Sequence, residues 1–437
     1  MNINYKIWAK MTKNEKKNLF SRSEQEISDV LDNVSIIIDK VKKEGDKALF
    51  HYNQLFDNVS TKNYSLLVSD SEFQIGEGKL SSKLKEAIDY SIENVQKFHK
   101  TQLPESMNMI EIERGIYAGE KALPIDSAGL YIPRGRGSFP SMLYMQAIPA
   151  KIAGVERICI VTPPDKNGEI DPACLYAAKK CGINEIYKTG GAQAIAALTF
   201  GTESIEPVIK LTGPGSKYVT AAKRILSGFI DSGLPAGPSD AAIIADKNAD
   251  PYKLALDLMT EAEHGSDSSA ILVTPSDSVA KKCMTYMNEM VLQLPQQRKQ
   301  FVSDVFKGFG GIILTDDIEQ AAEVVNLYGP EHLQIVTSEP WDTVGLITNA
   351  GEILLGDNTP FSCANYSIGA NAVLPTGGKA KTWSPLSVRD FMKFSSIVYS
   401  TEKGYKSLKN HVQVLAEYEG FTAHANAIKY RDQKKKL

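Results

Sequence analysis

The sequence predicts an α/β protein with two doubly wound parallel-sheet domains and helical segments at both ends. Three observations carry this. From about residue 125 to residue 356, short apolar runs alternate with helical stretches, as in βαβ units. Gly-rich turns punctuate the alternation. It comes in two successive series of similar size, and the flanking stretches show only helical spacing. The expected organisation is a helical segment at 1–124, partly packed on the second α/β domain. A first α/β domain at 125–236, a second at 237–380 and a helical tail at 381–437 follow.

At the N-terminal end, "SEQEISDVLDNVSIIIDKVKKEG" opens on a serine cap and closes at Gly45. "SSKLKEAIDYSIENVQKFHKTQ" repeats the amphipathic spacing. The first α/β series pairs "GLYIP" with "SMLYMQAIPAKIAGV", "RICIVTPP" with "DPACLYAAKKCG", "NEIYKTGG" with "AQAIAALTFG", and "VIKLTGPG" with "SKYVTAAKRILSG". The second pairs "DAAIIAD" with "DPYKLALDLMTEAEHG", "SSAILVT" with "DSVAKKCMTYMNEMVLQL", and "GGIILT" with "DIEQAAEVVNLYG"; "LQIVT" and "EILLG" follow. Open parallel sheets bind ligands at the carboxyl ends of their strands, so the site is expected there. The tail from Ser387 reads as helical.

Composition narrows the function. The chain has 437 residues, 43% of them hydrophobic, enough for a large core. With 49 Lys and Arg against 52 Asp and Glu, the net charge of −3 lacks the footprint of a nucleic-acid binder. Five cysteines, an odd number with no CxxC pair, argue against a disulfide framework or a cysteine zinc site and fit a reducing cytoplasm. No signal peptide or membrane span is expected.

Few residues are placed for chemistry. "TEAEHGSDS" sets Glu261 and His264 three apart, on one helical face. A carboxylate and an imidazole so placed could ligate a divalent metal; a charged, solvated helix end would look the same. "YGPEHLQI" sets Glu331 and His332 on a turn before a strand, a position suited to proton transfer or to a plain turn pair. "EYEGFTAHANAI" offers Glu419 and His424 near the C-terminus. His51, His99 and His411 read as structural. Three Gly-rich turns, "PRGRGSFPS", "KTGGAQAIAA" and "LTGPGSKYV", could approach a nucleotide, but none completes a dinucleotide fingerprint. No P-loop or GxSxG elbow occurs.

In order, the stretches "AGLYIPRGRGSFPS", "GGAQAIAALTFGT", "LTGPGSKYV", "LPAGPSDAAIIAD", "LMTEAEHGSDSSAILVT", "YGPEHLQI", "NAVLPTGGKAKTWSPLSVRDF" and "EGFTAHANAI" resemble the histidinol dehydrogenase family. The resemblance implies two Rossmann-like domains without the usual fingerprint, a homodimer with shared sites, Zn2+, NAD and two hydride transfers from alcohol through aldehyde to carboxylate. It implies His332 as the base that takes the alcohol proton and Glu331 as the activator of water. Tyr131, Gln193 and Ser216 match cofactor positions. Ser239, Glu261, His264, His332, Asn365, Glu419 and His424 match substrate contacts, the last two from a partner's tail.

The metal set implied by the resemblance is Glu261, His264, Asn365 and His424. The family pattern there is Gln, His, Asp and His, so an amide and a carboxylate have exchanged places. The single negative charge of the set is kept, which suggests retained metal binding with altered shape. Ala372 stands where the family usually has histidine, and Ser216 where it has asparagine. Loss of an imidazole could spoil recognition of the histidinol ring. The resemblance therefore implies oxidation of L-histidinol to L-histidine by default, or of another small polar alcohol, such as a sulfonated propanediol, by a paralogue. Arg134 and Arg136 could favour such an anion, or could face cofactor phosphates or solvent. A catalytically silent metal- or nucleotide-binding paralogue is the reading from another class.

Overall fold

The runs DAAIIA and SAILVT are buried at every position, as strands covered by helices on both faces must be. The computed structural model of the protein describes residues 1–20, 27–60, 64–134 and 137–432. Its strands are β1 (Tyr5–Ile7), β2 (Met107–Glu113), β3 (Ile116–Pro124), β4 (Ser127–Tyr131), β5 (Arg157–Thr162), β6 (Ile186–Lys188) and β7 (Lys210–Thr212). They continue as β8 (Asp240–Ala245), β9 (Ser269–Thr274), β10 (Gly311–Leu314), β11 (His332–Val336), β12 (Glu352–Leu355) and β13 (Met392–Ser400). The chain divides into a larger unit, residues 1–102 with 125–391, and a smaller one, residues 103–124 with 392–437.

The larger unit holds two parallel sheets. The four-stranded sheet runs β6-β5-β4-β7, and the six-stranded sheet runs β1-β10-β9-β8-β11-β12. Every pairing in both is parallel. Each sheet thus starts in its middle, winds one way and then reverses, between β4 and β7 in one and between β8 and β11 in the other. That is the doubly wound order, with helices on the faces. Helices Leu31–Glu44 and Asp46–Phe56 pack into the core of the four-stranded sheet, whereas Trp8 packs against the six-stranded one.

Local chemistry sets the helix ends. Asp171 and Asp250 cap helices whose first residue is proline, accepting from Ala173 N and Tyr252 N. Gly45 closes helix Leu31–Glu44 at φ 53°, as expected. That helix begins at Leu31, behind a 3-10 turn at Ser28–Val30; the serine cap read at Ser23 lies outside the described residues.

Four strands fall inside segments read as helical. β1 is a three-residue edge added to β10, too short for alternation to show. β2, β3 and β13 form the antiparallel sheet of the smaller unit, in the order β13-β3-β2. Their sequences, such as MNMIEIE, are half polar and largely solvent-facing, so neither an apolar run nor a helical period marks them. Helices Glu402–Tyr418 and Thr422–Lys429 complete that unit. A further helix, Gln296–Lys307, occupies a stretch in which the sequence analysis placed no element.

Candidate active site

Polar side chains collect where β8, β11 and β12 begin. Asp240, His332 and Glu352 are the first residues of those strands. The helix Pro251–Ala262 follows β8 and runs back across the sheet, so its last turn returns Glu261 to the same amino edge. The expectation of a carboxyl-edge site is therefore corrected for this sheet: the chemistry-bearing groups come from segments entering the strands and from the end of a crossover helix.

The turn into β11 is tightly constrained. Gly329 ends helix Ile318–Tyr328 in the left-handed region, φ 61°, and Pro330 directs the chain into the sheet. A Cβ on Gly351 would meet Glu331 O at 2.6 Å, so only glycine allows the neighbouring segment this close. Gly351 N and Glu352 N donate to Pro330 O and Glu331 O, both at 2.9 Å.

Glu261 is fully buried and at the centre. Its Oε2 accepts from Ser239 Oγ at 2.9 Å and lies 3.2 Å from His264 Nδ1. Its Oε1 accepts from Asn365 Nδ2 at 3.1 Å. Burial opposes its charge, but the imidazoles of His264 and His332 and the hydrogen bonds from His264 and Ser239 hold its carboxyl well below the usual range. His264, 42% exposed at its side chain, is shifted upward; partial burial works against that and Glu261 outweighs it.

Glu331 and His332 are both buried, with His332 Nε2 3.9 Å from Glu331 Oε1. Glu331 N donates to Asp240 Oδ1 at 2.8 Å, and Asp240 N donates to Glu331 Oε2 at 3.1 Å. Gly377 N donates to the other Asp240 oxygen at 2.6 Å. Burial, with the charges of Asp240 and Glu261 and against that of His332, pushes Glu331 up to about 7. His332 Nδ1 is 3.0 Å from Glu352 Oε2. Burial disfavours its charge, yet Glu261, Glu352 and Glu331 together raise it to about 10. The Phe361 ring meets the imidazole at 5.8 Å and 66°, edge on.

Glu261, His264 and Asn365 offer a carboxylate oxygen, an imidazole nitrogen and an amide oxygen, a donor set that suits zinc. Among the described residues no three His, Cys, Asp or Glu side chains form a metal-holding group; the third donor here is an amide. Four carboxylates, Asp240, Glu261, Glu331 and Glu352, gather around two imidazoles, and such an excess of buried negative charge favours a cation. Glu419 and His424 belong to the smaller unit and are exposed. Glu419 caps helix Glu402–Tyr418, and the His424 ring lies 5.3 Å from that of Phe421.

The positions matched to the cofactor lie at the carboxyl edge of the four-stranded sheet. Tyr131 ends β4, and its hydroxyl accepts from Gly191 N at 3.1 Å. Gln193 is buried, and its Oε1 has no hydrogen-bond partner among the described residues. An orphaned buried acceptor at a strand-to-helix turn fits a ligand bearing hydroxyl or amide donors, as NAD does. Ser216 is exposed and precedes helix Lys217–Leu226 without a side-chain cap. Arg134 donates to Pro163 O and Glu169 O at 3.5 and 3.2 Å; Arg136 lies outside the described residues. Ala372 is half-buried, and its N donates to Met145 Sδ at 3.4 Å.

Two acids escaped the sequence reading. Asp240 was passed over inside "PSD", and Glu352 was read as the start of the strand "EILLG". A charged first residue on an otherwise apolar run was the only signal for either. All five cysteines are free, four of them buried. No helix among the described residues is long and apolar enough to cross a membrane.

The family model described as histidinol dehydrogenase matches residues 20–432. A histidinol dehydrogenase of Synechocystis is 48% identical over 422 residues, covering 97% of each chain. A "histidinol dehydrogenase homolog" of Rhizobium meliloti is 45% identical, covering 98% of this chain and 94% of its own. The crystal structure of histidinol dehydrogenase from Elizabethkingia anophelis superposes with a TM-score of 0.93 at 37% identity, covering 98% of both chains.

Proposed function

Since this chain belongs to the histidinol dehydrogenase family and is an oxidoreductase, we propose that it oxidises a primary alcohol to a carboxylate in two steps at the amino edge of the six-stranded sheet. L-Histidinol, giving L-histidine, is the default substrate. NAD would accept a hydride in each step, and zinc held by Glu261, His264, Asn365 and a second copy's His424 would fix and polarise the substrate oxygen.

The protein's own groups supply the proton chemistry. A cation neutralising Glu261 would remove the charge that raises His332 most, so the imidazole can be neutral and its Nε2 can take the hydroxyl proton as the alcohol becomes an aldehyde. Glu331 takes a proton from the water that adds to the aldehyde carbon, forming the hydrate from which the second hydride leaves. One alcohol and one water thus give one carboxylate, two reduced cofactors and three protons. A carboxyl pushed up to about 7 is matched to that exchange near neutral pH. Ser239 and Glu419 would orient the substrate, and Tyr131, Gln193 and Ser216 would contact NAD.

The observation that carries this reading is that Glu331, His332 and Glu261 are buried together and act on one another's charges, while Glu261 also bonds the partly exposed His264 and Asn365. A homodimer belongs to it, because the smaller unit exposes apolar side chains that suit a partner surface, Val398 at 79% and Tyr418 at 91%. Five free thiols accord with a cytoplasmic location.

Ala372 favours a second reading. A methyl group where the family usually has an imidazole removes one polar partner for the histidinol ring and leaves room for another small polar alcohol, such as a sulfonated propanediol. Reduced cofactor formed per alcohol, measured with L-histidinol and with a sulfonated diol, is the test. Two per alcohol supports the two-step enzyme and names its substrate. No turnover with either, despite tight NAD and zinc binding, supports a silent paralogue.

A further inference from the structure

We propose that Glu352 is a positioning residue that fixes the tautomer and the orientation of the His332 imidazole. This rests on the reading of His332 as the base, and it adds a group that neither the sequence motifs nor the family resemblance marked.

β11 and β12 are parallel neighbours, and His332 and Glu352 are register partners at their first positions. The two side chains therefore leave the sheet side by side. Their contact is short: Nδ1 lies 3.0 Å from Oε2, and the two side chains are 3% and 10% exposed. The backbone beneath is pinned, since Glu352 N donates to Glu331 O at 2.9 Å. The Glu352 backbone thus cannot move away from His332 without breaking the strand pairing that also carries Glu331.

A carboxylate only accepts, so the imidazole must present Nδ1–H to it. In the neutral ring this leaves the lone pair on Nε2, the atom that faces Glu331 Oε1 at 3.9 Å. Phe361, fully buried, sets the ring plane from the side. Of the contacts on the ring, the hydrogen bond at Nδ1 is the short one, and the Phe361 ring packs beside it. A buried carboxylate behind an imidazole also favours the imidazolium formed when Nε2 takes a proton. The charged groups facing the ring are Glu261, Glu331 and Glu352. Glu352 alone among them hydrogen-bonds the nitrogen away from the reacting side.

Glu352→Gln, Glu352→Ala and Glu352→Asp, in the metal-loaded full-length enzyme, test this. Glutamine can donate its amide N–H to Nδ1 and so stabilise the wrong tautomer. Expected for both Gln and Ala is a fall in kcat of about 10- to 100-fold with KM changed less than about threefold, and partial rescue by Asp. Nitrogen NMR of 15N-histidine-labelled protein without substrate, with the His332 signal identified by loss in His332→Gln, reads the ring directly. Wild type should show a protonated Nδ1, and Glu352→Gln a shift toward protonated Nε2. This arm stands even if no alcohol tested is oxidised, so failure of the proposed function and failure of this inference are distinguishable. An unchanged His332 signal in Glu352→Gln overturns the inference, whatever the activity. Wild-type kcat in both Glu352→Gln and Glu352→Ala overturns it as well.

Discussion

Asn365 Nδ2 donates to Glu261 Oε1 at 3.1 Å, joining residues 104 positions apart in the chain. One is an amide and the other a carboxylate, in positions where the resembled family carries the reverse. Direct contact makes the exchange of charge between them local: the carboxylate has moved by one hydrogen bond. If both face one cation, Glu261→Gln and Asn365→Asp should each weaken zinc binding, and the double variant should recover most of it. Coupling of about 1–3 kcal/mol is expected for groups in contact. Titration of zinc into the metal-free variants checks it, and equal loss in all three contradicts it.

Asp240 holds Glu331 from the other side. It accepts from Glu331 N and Gly377 N while its own N–H reaches the Glu331 carboxylate. Asp240→Ala leaves the buried Glu331 N–H and the part-buried Gly377 N–H without acceptors, each worth up to about 1–3 kcal/mol. A loss of roughly 2–5 kcal/mol in chemical denaturation is expected. Asp240→Asn keeps the shape and removes a charge that raises Glu331, so the pH midpoint of aldehyde oxidation should move down. An unshifted midpoint would show that Asp240 does not act on Glu331.

Glu331 makes stability depend on pH. Its folded value, about 7, lies above the ordinary carboxyl value near 4.5. Between those values the folded chain holds a proton that the unfolded chain has released. Stability should therefore fall as pH rises from about 4.5 to about 7, by an amount on the order of 1–3 kcal/mol for metal-free protein. Glu331→Gln lacks this term, so its stability relative to wild type should increase across that window. Denaturant melts at pH 5 and pH 8 measure the difference; a gap of the opposite sign would rule the assignment out.

Phe361 links packing to chemistry. It opens the helix Phe361–Tyr366, which carries Asn365, and meets the His332 ring. Phe361→Ala should cost about 3–5 kcal/mol through the cavity left in a closed core. Phe361→Leu should cost much less and still lower kcat by freeing the imidazole. Thermal melts with initial rates separate the two effects; full activity in Phe361→Leu would remove the ring from the account.

Most strands of the two parallel sheets were legible because they are buried on both faces and read as short apolar runs in alternation with helical stretches; β1, a three-residue edge of the six-stranded sheet, was not. β2, β3 and β13 were not legible: they sit on a half-solvated antiparallel sheet, where packing selects the strand and the local pattern does not. Glu261 and His264 were legible as a pair because helical spacing puts them on one face. Asn365 became a candidate only through the family resemblance, since nothing local distinguishes an asparagine in "SCANYS". Glu352 was invisible, because its meaning lies in register with His332, 20 residues earlier, and pairing register is a property of the sheet.

Metal content of protein purified without added zinc tests the central claim most directly. About one divalent ion per chain is expected in the wild type, lost in Glu261→Ala and in His264→Ala, with activity restored to chelator-treated wild type by zinc. Wild-type protein that holds no metal and gains no activity from added zinc would contradict the convergence of Glu261, His264 and Asn365 on one ion.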